Sequence, residues 1–223
     1  MYASQRRDGI GGGSLQAVDG RLMAATVFTV GFALAATCAF GRVAGVLVGV
    51  IRSWTLRHRF DVVRFGWIET LTLVEPAVMA AVTAFLIAGR PSASTVSPVA
   101  AGMALAGGCV TLLGAGLALW TLASWRQLFV GHAVLSGQQL VTDGSYGLVR
   151  HPVYLAAVLI WIGLAVCFGN FPTALLTAGY VLPVYLLYIR SEEKMMLDAF
   201  GPEYRRYREQ VPMLLPRLVR RSS

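Results

Sequence analysis

The chain has 223 residues, of which 56% are hydrophobic and only 13% are charged, and its formal net charge is +8. Soluble domains contain about a quarter charged residues, so this composition indicates a membrane protein with long apolar blocks. The basic residues fall between those blocks rather than on one face of a soluble fold. This distribution argues against a nucleic-acid partner and fits cytoplasmic loops that face anionic membrane lipids.

The N-terminal part of the chain predicts a flexible tail and then a first membrane span. Residues 1–21 are charged and rich in glycine, which is typical of a tail. The apolar block from Leu22 to Ile51 is interrupted by Arg42. As one helix it would be about 45 Å long, against a hydrocarbon layer of about 30 Å. We therefore expect a span over about 22–41 that continues into the interface.

Four more apolar segments follow, and the turn between the last two is short. We expect spans over about 67–89, 98–122, 152–168 and 173–189. The turn Gly169-Asn-Phe-Pro172 requires the last two spans to form an antiparallel hairpin. A basic cluster precedes the second span and places that loop in the cytoplasm; its members are Arg52, Arg57, His58, Arg59 and Arg64.

These segments predict an all-α integral membrane protein with about five transmembrane helices and a cytoplasmic C-terminus. We divide the chain into the tail (1–21), a three-span membrane region (22–122) and a catalytic region (123–223). The catalytic region contains a loop, the two-span hairpin and an amphipathic C-terminal segment that ends at Val211-Pro212. Cys38, Cys109 and Cys167 lie in separate apolar blocks, which predicts neither a metal site nor a disulfide framework.

Arg150-His151-Pro152 stands directly before the fourth span. Pro152 suits the first turn of a helix, so His151 is expected near a helix N-terminus, where free N–H groups attract anions. The alternative is interfacial anchoring, in which Arg150 snorkels and Tyr146 and Tyr154 belong to an aromatic belt.

Arg190-Ser-Glu192-Glu193 stands at the end of the fifth span. The hairpin brings this segment beside His151. Carboxylates are costly at membrane depth and disfavoured at a helix C-terminus, which indicates a functional role toward a cationic or hydroxyl-bearing ligand. The alternative is a salt bridge to Arg150, Arg190 or Arg205.

The segment from Gln138 to Pro216 resembles the isoprenylcysteine carboxyl methyltransferase family of integral membrane methyltransferases and its phospholipid N-methyltransferase relatives. Its elements are Leu140-Val141, Gly144-x-Tyr146, Arg150-His-Pro-x-Tyr154, Glu192-Glu193, Phe200-Gly201-x-x-Tyr204-x-x-Tyr207 and Val211-Pro212. The sequence departs from the family at two positions. Gln138 stands where some relatives have histidine, and Ser145 replaces a frequent proline.

The resemblance implies a cytoplasm-facing S-adenosyl-L-methionine site and a lipophilic or prenylated acceptor that enters from the bilayer. The implied cofactor contacts are Gln138, Gln139, Leu140, Val141, Tyr146, His151, Pro152, Val153, Tyr154 and Glu192. Arg190 lies near the family's substrate arginine, with Tyr188 competing for that place. Arg190 and Glu193 are the expected catalytic residues.

Methyl transfer to a carboxylate needs alignment rather than a general base, because the acceptor is already ionised at neutral pH. An arginine would orient it through its fork of N–H donors. An amine or hydroxyl acceptor would need a base, for which Glu193 and His151 are the candidates.

Two other functions remain open on the sequence. A membrane sterol- or enone-type reductase that uses NADPH shares a similar His-Pro-x-Tyr element, but Glu192-Glu193-Lys194 replaces its usual basic and aspartate residues. A non-enzymatic transporter or scaffold would explain the spans but not the converging polar motifs. In the second span, Glu69 and Glu75 either line a substrate path or pair with Arg64 or Arg126.

Overall fold

The computed structural model describes residues 10–55, 60–63, 66–124, 133–135 and 137–217. The helices are α1 (Ile10–Thr55), α2 (Trp67–Ala88), α3 (Pro98–Ser124), α4 (Ser145–Leu148), α5 (Pro152–Phe168), α6 (Phe171–Leu176) and α7 (Leu182–Gln210). A π-helical turn over Thr177–Val181 joins α6 to α7. Two short antiparallel strands, β1 (Phe60–Val63) and β2 (Ala133–Leu135), pair the loops after α1 and α3.

Four helical segments are long and apolar enough to cross a membrane: Val18–Thr55, Thr70–Ala88, Pro98–Ser124 and Phe171–Gln210. A fifth apolar helix, α5, has 17 residues. The predicted class, an all-α integral membrane protein, is confirmed, with the short strand pair as a local addition. The last segment continues well beyond the expected 173–189, because no residue stops the helix until the kink at Gly201, where φ is 51°.

The N-terminal helix also differs from the expectation. α1 is one helix of 46 residues that starts at Ile10, so residues 10–21 are helical rather than a flexible tail. No proline interrupts this stretch, so its helical hydrogen bonds continue without a break. Several residues of the sequence analysis lie outside the described residues, namely Arg57, His58, Arg59, Arg64 and Arg126.

α3 packs between α1 and α5 through small residues. A Cβ atom at Gly107 would overlap the backbone of Cys167, and one at Gly163 would lie 2.5 Å from Cγ2 of Thr111. Glycine at such positions lets helix backbones approach closely, which is how membrane helices gain packing energy without a hydrophobic driving force.

The turn between α5 and α6 sets the position of the polar motifs. Gly169 ends α5 in the left-handed conformation with φ 54°, and Asn170 caps α6 by accepting a hydrogen bond from the Thr173 amide at 2.9 Å. The predicted tight turn is therefore present. It folds the α6–α7 rod back along α5 and brings α7 past the start of α5.

Candidate active site

The start of α5 is held by the C-terminal segment of the chain. Pro152 is the first helical residue and His151 precedes it, as the sequence predicts. The backbone amide of Arg150 donates to the carbonyl of Pro212 at 2.8 Å, and that of His151 donates to Met213 at 3.2 Å. The segment after α7 therefore lies across the N-terminus of α5 as a strap.

The carboxylate of Glu193 contacts the side chains of Arg150, His151 and Arg208. Arg150 donates from Nε at 2.9 Å and from Nη2 at 2.7 Å to Oε1 of Glu193. Nε2 of His151 lies 3.3 Å from the same oxygen, and Nε of Arg208 lies 3.4 Å from Oε2. Arg150 also donates to the carbonyls of Arg208 and Val211 at 3.0 and 2.5 Å. This glutamate therefore ties α5 to α7 and to the strap.

Glu192 has a different environment, although it is the next residue. Its Oε2 lies 3.4 Å from Nδ1 of His151, yet this buried oxygen receives no hydrogen bond in the described part of the chain. The side chain as a whole keeps 28% of its surface accessible. The hydroxyl of Tyr154 interacts with Glu192 and with Tyr188. Glu192 thus presents an incompletely neutralised carboxylate beside two residues of the predicted cofactor site.

The two glutamates influence the groups around them. Burial of the His151 imidazole lowers its pKa, but the neighbouring carboxylates of Glu192 and Glu193 outweigh burial, so the pKa is raised overall. Burial, followed by the charge of Glu192 and the phenol of Tyr207, raises the pKa of Tyr146. Tyr146 is thereby placed within the electrostatic reach of Glu192.

The structure brings some of the predicted site residues together in one region. Tyr146, His151, Tyr154 and Glu192 share one region, and Tyr188 stacks edge-on against Tyr154 with ring centroids 5.5 Å apart. Among the predicted cofactor contacts in the loop, Leu140 packs against the buried Tyr204, Tyr207 and Val211.

The remaining predicted residues are placed as follows. Pro152 is buried, Gln138, Val141 and Val153 are half-buried, and Gln139 and Arg190 are exposed. The exposure of Arg190 puts its side chain on the outer side of α7, while Tyr188 and Glu193 on the inner side are buried. The roles of these residues stay predictions.

A second polar cluster lies among the membrane helices, and the sequence analysis missed most of it. Arg42 on α1 donates from Nη2 to Oε2 of Glu75 at 2.9 Å and to the hydroxyl of Tyr185 at 2.7 Å. Nε1 of Trp161 donates to Oε1 of Glu75 at 2.6 Å. The available signal was that Arg42 and Glu75 are opposite charges inside apolar blocks, which must be paired when buried.

Tyrosine rings connect this membrane cluster to the site at the start of α5. The ring centroid of Tyr154 lies 5.3 Å from that of Tyr185, the tyrosine whose hydroxyl is hydrogen-bonded to Arg42. The Tyr154 centroid lies 5.8 Å from that of the His151 ring. In the π-helical turn before α7, Tyr180 donates to the carbonyl of Leu71 on α2 at 2.9 Å. Such turns occur often at functional sites.

Residues 99–203 match the phospholipid methyltransferase family. The resemblance to membrane methyltransferases is confirmed. Methanethiol S-methyltransferase 2 of Bradyrhizobium diazoefficiens is 37% identical over 99 residues, which cover 43% of this chain and 37% of that protein. Protein-S-isoprenylcysteine O-methyltransferase of Schizosaccharomyces pombe is 36% identical over 77 residues, or 34% and 33% of the two chains.

A further relative carries a different kind of name. The cobalt-zinc-cadmium resistance protein of Cupriavidus metallidurans is 33% identical over 105 residues, which cover 46% of this chain and 47% of that protein. The match thus spans between a third and a half of the length of each of these three relatives. All three comparisons concern a membrane methyltransferase-like part of the chain rather than its whole length.

Proposed function

We propose that this protein is an S-adenosyl-L-methionine-dependent membrane methyltransferase that methylates the carboxylate of a lipophilic acceptor. The observation that carries the proposal is Glu192, a carboxylate beside His151 and Tyr154 whose buried Oε2 lies 3.4 Å from Nδ1 of His151 but accepts no hydrogen bond in the described part of the chain. A buried carboxylate oxygen without a hydrogen bond is stabilised further when a strong donor such as an ammonium group reaches it. The family match over 99–203 supports the same function.

The residues present fit the cofactor, which carries an ammonium group and a sulfonium. Glu192 would hold the ammonium group, and Tyr154 and Tyr146 would contribute aromatic surface next to a cation. The strap and the Arg150–Glu193 pair fix His151 in place, so the site is rigid before anything binds. Such preorganisation lowers the entropic cost of aligning two reactants.

When bound, S-adenosylmethionine would supply an electrophilic methyl group, and its methyl–sulfur bond would break as a carboxylate oxygen of the acceptor takes the methyl. No proton is transferred, so a general base is not required. Glu193, predicted as a catalytic residue, is held by Arg150, Arg208 and His151. We assign it to positioning His151 rather than to proton transfer.

The second candidate function is methylation of a thiol. It is favoured by the relative whose name is methanethiol S-methyltransferase 2. A thiol acceptor is mostly protonated at neutral pH and would need a base, for which His151 is the nearest candidate.

We place the protein in the cell membrane if it is bacterial, with the site facing the cytoplasm and the acceptor arriving from the bilayer. The support is the basic composition of the loop after α1 and of the C-terminal segment, since basic loops stay cytoplasmic. The start of α5, the end of α7 and the strap would all lie at that membrane surface.

Calorimetric titration of the detergent-purified full chain with S-adenosylhomocysteine tests the proposal, with NADPH titrated in parallel. We expect binding of S-adenosylhomocysteine only. Glu192→Gln should weaken it by about 10-fold to 100-fold, as expected for a lost charge-assisted hydrogen bond. Glu203→Gln, an exposed glutamate on the same helix, is the control and should bind normally. Binding of NADPH alone, or unchanged binding by Glu192→Gln, would contradict the proposal.

A further inference from the structure

Nε of Arg42 is a buried hydrogen-bond donor that contacts no acceptor in the described parts of the chain. Glu75 accepts from Nη2 of Arg42 through Oε2 and from Trp161 through Oε1, and neither oxygen accepts a hydrogen bond from Nε of Arg42. A buried donor without an acceptor destabilises the protein, so an oxygen that reaches this atom is bound favourably.

The position of Arg42 relates this donor to the candidate active site. Its guanidinium bonds the Tyr185 hydroxyl at 2.7 Å, and the Tyr185 ring lies 5.3 Å from Tyr154. Arg42 is therefore one aromatic ring away from the residues assigned to the cofactor, on the membrane side. Its side chain keeps 13% of its surface accessible, but Nε itself is buried, so a ligand oxygen reaches this atom only when neighbouring side chains move.

The charge balance of the cluster determines what it can recognise. Glu75 neutralises Arg42, so the cluster has little net attraction for a free ion. What remains is one directional N–H donor, which selects a strong hydrogen-bond acceptor. Carboxylate and carbonyl oxygens are strong acceptors, whereas the sulfur of a thiol is a weak one.

We propose that Arg42 holds the oxygen-bearing head group of the lipophilic acceptor through its Nε–H and thereby selects oxygen acceptors over thiols. This inference rests on the proposed function, because the methyl group is transferred at the adjoining site. One carboxylate oxygen accepts the hydrogen bond from Arg42. The other forms the bond to the methyl carbon, and the electron pair of the broken bond stays on sulfur. Arg190, which is exposed, has no part in this arrangement.

The test follows the Nε–H signal of Arg42 by NMR in the full chain, labelled with ¹⁵N-arginine and reconstituted in micelles with saturating S-adenosylhomocysteine. The probes are farnesylthioacetate, which has a carboxylate head, and farnesyl thiol, which has the same chain without oxygen. The signal is assigned through Arg42→Lys or, if that variant does not fold, through Arg42→Gln. The signal of Arg52, exposed on the same helix, reports non-specific partitioning into the micelle.

We expect farnesylthioacetate to shift the Arg42 signal and leave that of Arg52 unchanged, with no shift from farnesyl thiol. No shift from the carboxylate, which would leave water as the partner of Nε, overturns the inference, and so does an equal shift from the thiol. S-adenosylhomocysteine binding is measured separately on the same samples. Its failure would reject the proposed function, whereas an absent shift with normal binding would reject only the role of Arg42.

Enzymatic turnover gives a second readout. In Arg42→Lys, the KM for farnesylthioacetate should rise about 10-fold, since the lysine keeps the charge opposite Glu75 but lacks the Nε–H donor. Binding of S-adenosylhomocysteine should stay within about twofold, and Arg52→Lys should match the unmodified protein in both measurements. An unchanged KM in a folded Arg42→Lys variant would overturn the inference.

Discussion

The two polar clusters described above contain the same pair of residue types, but each leaves a different kind of group without a hydrogen bond. At the start of α5, Arg150 and Glu193 are paired, and Oε2 of the adjacent Glu192 lies 3.4 Å from Nδ1 of His151 without accepting a hydrogen bond from the described residues. Among the membrane helices, Arg42 and Glu75 are paired and Nε of Arg42 lacks an acceptor. One cluster therefore offers a negative acceptor and the other a donor, which suits a cationic cofactor on one side and an oxygen-bearing acceptor on the other.

The two ion pairs also connect different numbers of structural elements, and this affects how each contributes to stability. Arg150 connects α5, α7 and the strap through bonds to one carboxylate and two carbonyls. Arg42 connects α1 to α2 and α7 through one nitrogen. A buried pair adds little net stability over an apolar replacement, but removing one partner leaves an uncompensated charge. Single and double substitutions should therefore behave differently in the two clusters.

The largest effect is expected for Arg150→Met. The change leaves Glu193 without its main cation and two carbonyls without a donor, which should lower the free energy of unfolding by about 3–5 kcal/mol. Unfolding from mixed detergent micelles measures it. Arg208→Met is the matched control, since Arg208 is 40% exposed and 3.4 Å from Glu193, and should cost about 1 kcal/mol or less. Equal losses in the two variants would show that the strap is not held by Arg150.

A smaller loss is expected for Arg42→Met, about 3 kcal/mol, because Glu75 keeps its hydrogen bond from Trp161. The double variant Arg42→Met/Glu75→Leu removes both charges and should recover at least half of that loss. The same unfolding assay measures the unmodified protein, the single variants Arg42→Met and Glu75→Leu, and the double variant. Additive losses in the double variant would mean that the two residues are not coupled as the 2.9 Å contact implies.

The smallest effect is the pH dependence that arises from His151. Because its pKa is raised in the folded protein, its proton stabilises the fold fully below about pH 6.5, the value of an unperturbed histidine. This contribution is lost as the pH rises through the folded pKa, with a slope of at most about 1.4 kcal/mol per pH unit. Thermal unfolding between pH 6 and 9 should therefore show a falling Tm.

His151→Gln is the control for this prediction and should flatten the slope. The charged groups that face His151 are Glu192, Glu193 and Arg150, and all three remain in the variant. A slope that persists in His151→Gln would have to come from another group. The role assigned to the imidazole would then be wrong.

The hairpin and its polar ends were predictable because they depend on local signals. Pro152 and Gly169 bound α5 where the sequence indicates, and the short turn brings His151 beside Glu192 and Glu193. Helix length and turn length are sufficient for that inference, since both are read along the chain. The last helix also kinks at Gly201, directly before Pro202, where glycine adopts a positive φ.

The membrane cluster was not predictable in the same way. Hydropathy locates α1 and α2 but does not say which face of α1 carries Arg42 toward Glu75, so the partner of Glu75 was expected at Arg64 or Arg126. The sequence also did not distinguish the role of Glu192 from that of Glu193. Two adjacent residues on a helix point about 100° apart, and only the tertiary packing decides which of them meets Arg150.

The strap has a consequence for the order in which the protein is made. The amides of Arg150 and His151 find their acceptors only on Pro212 and Met213, about sixty residues later in the chain. During synthesis the α5–α6 turn can therefore enter the bilayer while the start of α5 still lacks these partners. The site is complete only after residue 213 has left the ribosome. A nascent chain that is cut short before this residue has its membrane helices in place, but the start of α5 lacks the strap.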